Sequence, residues 1–425
     1  MLSGLLKTNG FKSLIAAQII SGLGDWLSII AIMTMVGLKW NATPIEVSLI
    51  MLCLALPMVF LGPIAGAFAD RFNRKLLMIL SDLIRAGLIL LLATADSILT
   101  VYICLLAIGT ISTIFIPSKN GKLKELVDNH HIKSAISITT MIDSGTKILG
   151  PLLSGMLVSV LEVKTIFYLD SFSFLFSALL LLFLPKEKSR VTTVSTEIKK
   201  GIKPSFRKDL AIGIKFITSN TFMLTGMIFL GLSLLILQLA DSQIIILIRE
   251  LELASSNLFG YIVTASGTGM FLSGYILAKK TNYQPFISML FGVCGIGISF
   301  GMMSLFTYFN VSHPNLWGSA FGFLGGFTAT YVLVPYQAYI QAITPVQLTG
   351  RVFGVINSVT TTATIIGPLL GGWLSTILGV YITFLVSACL LILASIIGWV
   401  TRNRLDRGEK IDSKSQSKAS GTATS

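Results

Sequence analysis

Apolar runs of about 20 residues recur from one end of the chain to the other, each broken by a short polar stretch. A helix rises 1.5 Å per residue, so runs of this length match a hydrocarbon core about 30 Å thick. Transmembrane strands would be shorter and would alternate apolar with polar positions, a pattern these runs lack. The pattern therefore predicts twelve helical spans, approximately 11–38, 45–69, 76–95, 98–118, 134–160, 165–184, 221–248, 256–278, 284–308, 314–336, 352–378 and 380–400. Residues 1–10 are too short and polar for a cleavable signal, so the first span is expected to direct insertion itself.

The stretch 185–215 is rich in lysine and arginine and separates six spans from six. Within it, FRKDLAIGIKFI places Phe206, Leu210, Ile214 and Ile217 at helical spacing with basic residues between them. That predicts an amphipathic helix lying on an anionic leaflet. The organisation read from these features is a first six-helix bundle at 1–184 and a basic linker with its interfacial helix at 185–220. A second bundle follows at 221–401, then a polar, disordered cytoplasmic tail at 402–425.

Composition agrees with the pattern: 53% hydrophobic and 12% charged residues place the chain outside the soluble range. The net charge of +13 raises the question of nucleic acid, and the placement of the charges answers it. Of 32 lysines and arginines, Lys39, Lys164 and Arg249 fall outside if both termini are inside, and Arg85 and Lys147 lie within spans; subtracting these five leaves 27 in cytoplasmic segments. This is the positive-inside asymmetry of a multi-pass plasma-membrane protein, and it calls for a lipid bilayer and no nucleic acid as partner. Cys53, Cys104, Cys294 and Cys389 sit in apolar spans without metal-like spacing and read as packing residues.

The two sets of spans repeat each other. GPLLSG at 150–155 returns as GPLLGG at 367–372, pairing Gly150 and Pro151 with Gly367 and Pro368. FIPSK at 115–119 corresponds to LVPYQ at 333–337, and GLGDW to QLADS at 238–242, so that Asp25 corresponds to Asp241. Two halves of like orientation imply a pseudo-twofold axis along the membrane normal and a midplane site between them, the architecture of a secondary transporter.

The chain resembles the major facilitator superfamily over most of its length. GAFADRFNRK at 66–75 is similar to the signature between that superfamily's second and third helices. FYLDSFSFLFSALLLL and FRKDLAIGIKFI resemble the macrolide-efflux and enterobactin-exporter branch, and AAQIISGLGDW with PSKNGKLKEL is similar to the bacterial lysophospholipid transporter. The resemblance implies an all-α fold of twelve transmembrane helices in two pseudo-symmetric bundles, a bacterial inner membrane and alternating access. In the family the signature latches the cytoplasmic side, which points to Gly66, Asp70, Arg71, Arg74 and Lys75, with the glycine giving close helix approach and the aspartate pairing with a guanidinium or a facing helix N-terminus. GTKILGPLLSG at 145–155 resembles the fifth-helix signature of family antiporters, and its Gly150 and Pro151 predict a kink.

Charges inside spans are expensive, so each needs an account. Asp143 and Lys147 are four apart on one helix face and can pair, and Asp82 and Arg85, three apart, can pair near the cytoplasmic end. Asp170 reads as a helix–helix hydrogen-bonding group. Asp25 and Asp241 have no basic residue within a turn. As uncompensated acids bordering a wet cavity they would take up and release protons; as acids bonded to a neighbouring helix they would only hold the bundle together. Trp26 can stack on an aromatic or cationic substrate or pack against lipid and core. Lys119, in PSKNG, reads as the start of a cytoplasmic loop.

Gly121 and Lys122 lack the upstream glycine of a nucleotide loop, and His130, His131 and His313 fall at loops or span ends, so no ATP, cofactor, metal or catalytic set is expected. The reading that follows is a monomeric, non-enzymatic exporter of amphipathic small molecules driven by protons. A siderophore exporter, a lysophospholipid carrier, and a transport-dead sensor or assembly partner remain as alternatives.

Overall fold

The structure, a computed structural model, describes residues 9–127, 132–185, 206–251, 257–279, 284–345 and 348–421, and among them the regular structure is helical throughout. In chain order the helices are α1 (Asn9–Met33), which ends in a π-helical turn (Thr34–Lys39), α2 (Pro44–Arg71), α3 (Arg74–Ala93), α4 (Ile98–Leu126), α5 (Ile132–Val160) and α6 (Val163–Leu182). They continue with α7 (Phe206–Thr218), α8 (Thr221–Asp241), α9 (Ile244–Arg249), α10 (Leu258–Lys279), α11 (Pro285–Tyr308), α12 (Pro314–Ile343), α13 (Thr349–Leu378) and α14 (Val380–Gly421).

Local chemistry sets the ends. Thr43 and Glu46 form a reciprocal capping box, with Pro44 at the first helical position, so α2 begins there. Asn73, Ser97 and Asn220 accept backbone N–H groups at the starts of α3, α4 and α8. Gly379 takes the positive φ of 86° that breaks α13 from α14.

Eleven helical stretches among the described residues are long and apolar enough to cross a membrane. The remaining long helix, α5, has 29 residues and carries Lys133, Asp143 and Lys147. It completes the twelve spans at the cost of three charges, which is why its interior matters below. The seventh span is broken between Asp241 and Ile244 into α8 and α9, and α4 runs on past 118 to Leu126. Helix α14 also continues to Gly421, where the polar composition predicts a disordered tail from 402. Extending an existing helix needs no new nucleus, and the lysines, arginines and glutamate of that stretch are good helix formers.

Contacts divide the chain into two compact units. The first contains Met1–Thr193 with Ile244–Gly267 and Ser312–Ser319; the second contains Val194–Gln243, Thr268–Val311 and Ala320–Ser425. The divide therefore departs from a cut in the linker, because α9 and the first part of α10 pack with α1–α6. Within the first unit α1 packs on α5 and α6, and α3 on α6; within the second, α8 packs on α13 and α14, and α11 on α14. The same pairing order thus recurs in each. Pro117 with Pro335, and Pro151 with Pro368, lie inside corresponding long helices.

Helix α7 lies within the stretch expected to hold an amphipathic helix. Its Gly213 sits against the Arg351 carbonyl of α13, where a Cβ would come within 2.8 Å, Ile217 is buried, and Ile212 and Ile214 are uncovered by protein. The side chains of Phe206 and Leu210, and linker residues 186–205, lie outside the described residues.

Candidate functional site

Among α1–α6, α1, α3 and α6 bring charged side chains to one place in the interior. Asp82 and Arg85, one turn apart on α3, are bonded to each other, and both are buried. Ser177 of α6 donates a further hydrogen bond of 2.6 Å to Asp82. The Arg85 guanidinium lies against Phe115 of α4 and Phe174 of α6, 4.5 and 4.4 Å from the ring centroids, which fixes its plane by cation–π contact. Its other nitrogen, Nη1, is 3.9 Å from Asp25 of α1, beyond hydrogen-bond length. Asp82 therefore holds the arginine, and Asp25 is left with a longer-range share of the same cation. The Asp25 side chain is 47% uncovered by protein, against 4% for Arg85.

The glycines of SGLGDW explain how α1 reaches this position. A Cβ on Gly24 would collide with the carboxylate of Asp170 and the hydroxyl of Ser173 on α6, and a Cβ on Gly22 would lie 3.3 Å from Thr146 on α5. Without side chains there, α1 lies close against both neighbours. Asp170 is buried and accepts hydrogen bonds from Ser28 of α1 and Ser173, the latter at 3.1 Å. Two short hydroxyls replace water around this carboxyl, which ties α1 to α6.

A second ionic contact joins α4 to α5. Lys119 Nζ lies 3.7 Å from Asp143, whose side chain is 54% uncovered. Gln18 of α1 donates to the same carboxylate at 2.6 Å and to the Thr139 carbonyl at 3.1 Å. Two sequence expectations are corrected here. Asp143 turns to Lys119 and Gln18 on other helices, and Lys147, one turn along α5, is exposed and is not its partner. Lys119 begins no loop; it stands inside α4, because Pro117 is absorbed into the helix and Ser118 bonds back to the Ile114 carbonyl at 2.9 Å. A recessed ammonium needs a carboxylate more than an exposed one does, so Lys119 takes Asp143. A cavity of about 370 Å³ opens beside Asp143, lined by Asn120, Leu123, Lys124, Ile136, Thr139 and Thr140 among others.

Trp26 packs across helices. A Cβ on Gly150 would strike the Trp26 ring, so the residue before Pro151 gives the indole its place. Gly367, before Pro368, does the same for Gln238 and the Leu235 carbonyl of α8. Asp241, at the end of α8 in the second unit, is uncovered by protein, and no basic side chain lies within ion-pair distance of it among the described residues.

In the signature stretch, Arg74 forms an ion pair of 2.6 Å with Glu125 of α4, and Glu125 also takes Lys122 at 3.0 Å. Lys75 donates to the carbonyls of Leu182 and Leu184 at 2.7 and 2.6 Å, capping the end of α6. Arg71 is exposed, and the Asp70 side chain lies outside those described. No described atom lies within 4 Å of a Cβ built on Gly66, so the close helix approach expected of that glycine is not made here. No group of three or more metal-ligating side chains is found among the described residues.

Sequence reasoning missed Gln18, Phe115 and Phe174 as members of these sites. Gln18 had a usable signal: it lies seven residues before Asp25, two helical turns along the same face. The two phenylalanines had none, since a phenylalanine in an apolar span looks like any other.

The family described as "Transmembrane secretion effector" matches residues 3–423. The chain is 35% identical over 414 residues to the uncharacterised MFS-type transporter YfiS of Bacillus subtilis, covering 97% of this chain and 98% of that one. It is 25% identical over 353 residues to the multidrug resistance protein MdtG of Salmonella paratyphi B, covering 81% and 82%. Among solved structures, the nucleoside transporter NupG is similar in fold, with a TM-score of 0.67 at 11% identity over 92% of this chain and 98% of that one.

Proposed function

The chain belongs to the transmembrane secretion effector family of MFS-type membrane transporters, and from that premise we propose that it exports amphipathic small molecules in exchange for protons by alternating access. It is a multi-pass membrane protein and not an enzyme. The finer reading rests on one observation: Asp25 is half uncovered and stands 3.9 Å from an arginine already bonded to Asp82. One cation faces two acids. Asp82 is sealed from water, so Asp25 is the carboxylate that a proton can reach and leave. When Asp25 is ionised it draws on Arg85; when it is protonated the pair Asp82–Arg85 is neutral by itself. Asp241, uncovered and without a basic partner among the described residues, is the corresponding acid of the second unit.

Asp143, Lys119 and Lys147 border the substrate path in this reading, and Gly150, Pro151, Gly367 and Pro368 mark the helices that bend as access changes. Asp70 is the latch group on the cytoplasmic side. Arg74 and Lys75 tie the start of α3 to Glu125 and to the end of α6. The protein works as a monomer in a bacterial inner membrane with both termini in the cytoplasm. Similarity to a protein named for multidrug resistance supports a broad amphipathic substrate range. Lys119 is engaged by Asp143, which competes with a headgroup for the ammonium and disfavours the lysophospholipid carrier.

Purified protein in liposomes with an imposed proton gradient tests the proposal, using a panel of a macrolide, a catecholate siderophore and a lysophospholipid. Wild-type protein should accumulate the macrolide against its gradient, and the Asp25→Asn, Asp241→Asn double variant should only equilibrate it. Uphill accumulation by the double variant sinks proton coupling through these acids, and selective uptake of either other compound sinks the substrate class.

A further inference from the structure

The first unit contains a piece of chain remote in sequence from α1–α6, namely residues 244–267. It is fastened in two ways. Along α5 and α10 the backbones touch: a Cβ on Gly155 would lie 2.7 Å from the Gly260 carbonyl oxygen, and one on Gly260 would lie 2.8 Å from the Ser159 nitrogen. Such a seam is held by dispersion and can slide. The second fastening is polar and local. Arg249, the last residue of α9, donates from Nη1 to the Ala42 carbonyl at 2.7 Å and to the Gly37 carbonyl at 3.3 Å, across more than 200 residues of sequence.

Those two carbonyls belong to the end of the first span, where the helix widens into its π-turn. Trp40 N–H bonds back to Met35 and Ala42 N–H to Val36, with Asn41 in the left-handed region at φ 51°. A helix C-terminus carries unpaired carbonyls and partial negative charge, so a guanidinium there is matched in both hydrogen bonding and field. Gly37 makes the approach possible. A Cβ on it would lie 2.7 Å from Cγ1 and 2.8 Å from Cγ2 of Ile245, so only glycine lets α9 lie flat on the turn. Ile245, Ile246, Leu247 and Ile248 are buried as a result.

We propose that Arg249 is a positioning residue that clamps residues 244–251 over the end of α1, at the face the basic-residue distribution assigns to the outside, and that its release uncovers the turn at Ala42. The contact is well suited to that work. It is a single side chain on exchangeable carbonyl acceptors, and among the described residues no carboxylate lies within ion-pair distance of it, so water can replace the acceptors without stranding a second charge.

The test uses detergent-solubilised full-length protein whose four native cysteines are replaced by alanine, with a single Ala42→Cys reporter. Ala42 is buried under the clamp, so a maleimide should react slowly. Arg249→Ala should speed labelling by about tenfold, the factor for ~1.4 kcal/mol. Arg249→Lys, which keeps the charge but loses the fork, should fall between. Gly37→Val, which pushes Ile245 away while Arg249 remains, should reproduce the increase. An Ala86→Cys reporter, buried between α3 and α6, should not respond to any of these changes. Unchanged labelling at Ala42 in Arg249→Ala overturns the proposal. An equal rise at Ala86 overturns it too, because Arg249 would then support the fold as a whole. Labelling needs no substrate, so either failure leaves the transport reading to its own assay.

Discussion

Replacing Asp82 with asparagine isolates the electrostatics of the buried cluster. The substitution is nearly isosteric and keeps a hydrogen-bond partner for Ser177, which lies 2.6 Å away. What it removes is the carboxylate charge hydrogen-bonded to Arg85, whose side chain is 4% exposed. Losing one member of a buried ion pair costs about 3–5 kcal/mol. Two features limit the loss here. The Phe115 and Phe174 rings retain their attraction for the guanidinium, about 1–2 kcal/mol together when desolvated, and Asp25 remains 3.9 Å away. The expected cost is therefore about 3 kcal/mol, the low end of the range. Asp25→Asn should cost less than about 1 kcal/mol, because Asp25 is half uncovered and Arg85 keeps Asp82. Asp82→Asn combined with Arg85→Met removes the stranded charge and should return to within about 1 kcal/mol of wild type. Unfolding by sodium dodecyl sulfate in mixed micelles, followed by far-UV circular dichroism, ranks the three variants. Equal stability of Asp82→Asn and Asp25→Asn, or a double variant no better than Asp82→Asn alone, would refute this division of labour between the two acids.

Two further perturbations probe other joints of the same unit. Gly150→Val should drive a methyl group into the Trp26 ring and lower stability by about 1–3 kcal/mol, and Trp26→Leu in the same chain should recover most of it; an unaffected melting temperature for Gly150→Val would remove the helix-packing role of that glycine. Lys75→Met should cost about 1.5–3 kcal/mol by leaving the Leu182 and Leu184 carbonyls without their cation, and hydrogen exchange should rise at the end of α6 but stay level at the start of α8. Uniform exchange through both would mean that Lys75 does not cap α6.

The spans and most of their approximate ends were open to reading, because each depends on a short window: length against the bilayer and periodicity. The internal repeat was legible for the same reason, as were Asp82 with Arg85, three apart on one helix. Pairing between helices was not. Asp143 has Lys147 on its own face, yet it turns to Lys119 and Gln18, because the choice depends on how deeply and at what rotation α1, α4 and α5 pack. Lys119 itself reads as a loop residue until Pro117 is seen inside α4. Asp25 has no cation within a turn of sequence, but it shares Arg85 once Gly24 lets α1 close on α6. The contact of Arg249 with Gly37 depends on a neighbour more than 200 residues away. The sequence by itself determined that Asp25, Asp82, Arg85, Asp143, Lys147 and Asp170 ride on apolar helices. Tertiary structure alone decided which of them meet, because a Coulomb or hydrogen-bond contact is fixed by distances of a few ångströms that only packing supplies.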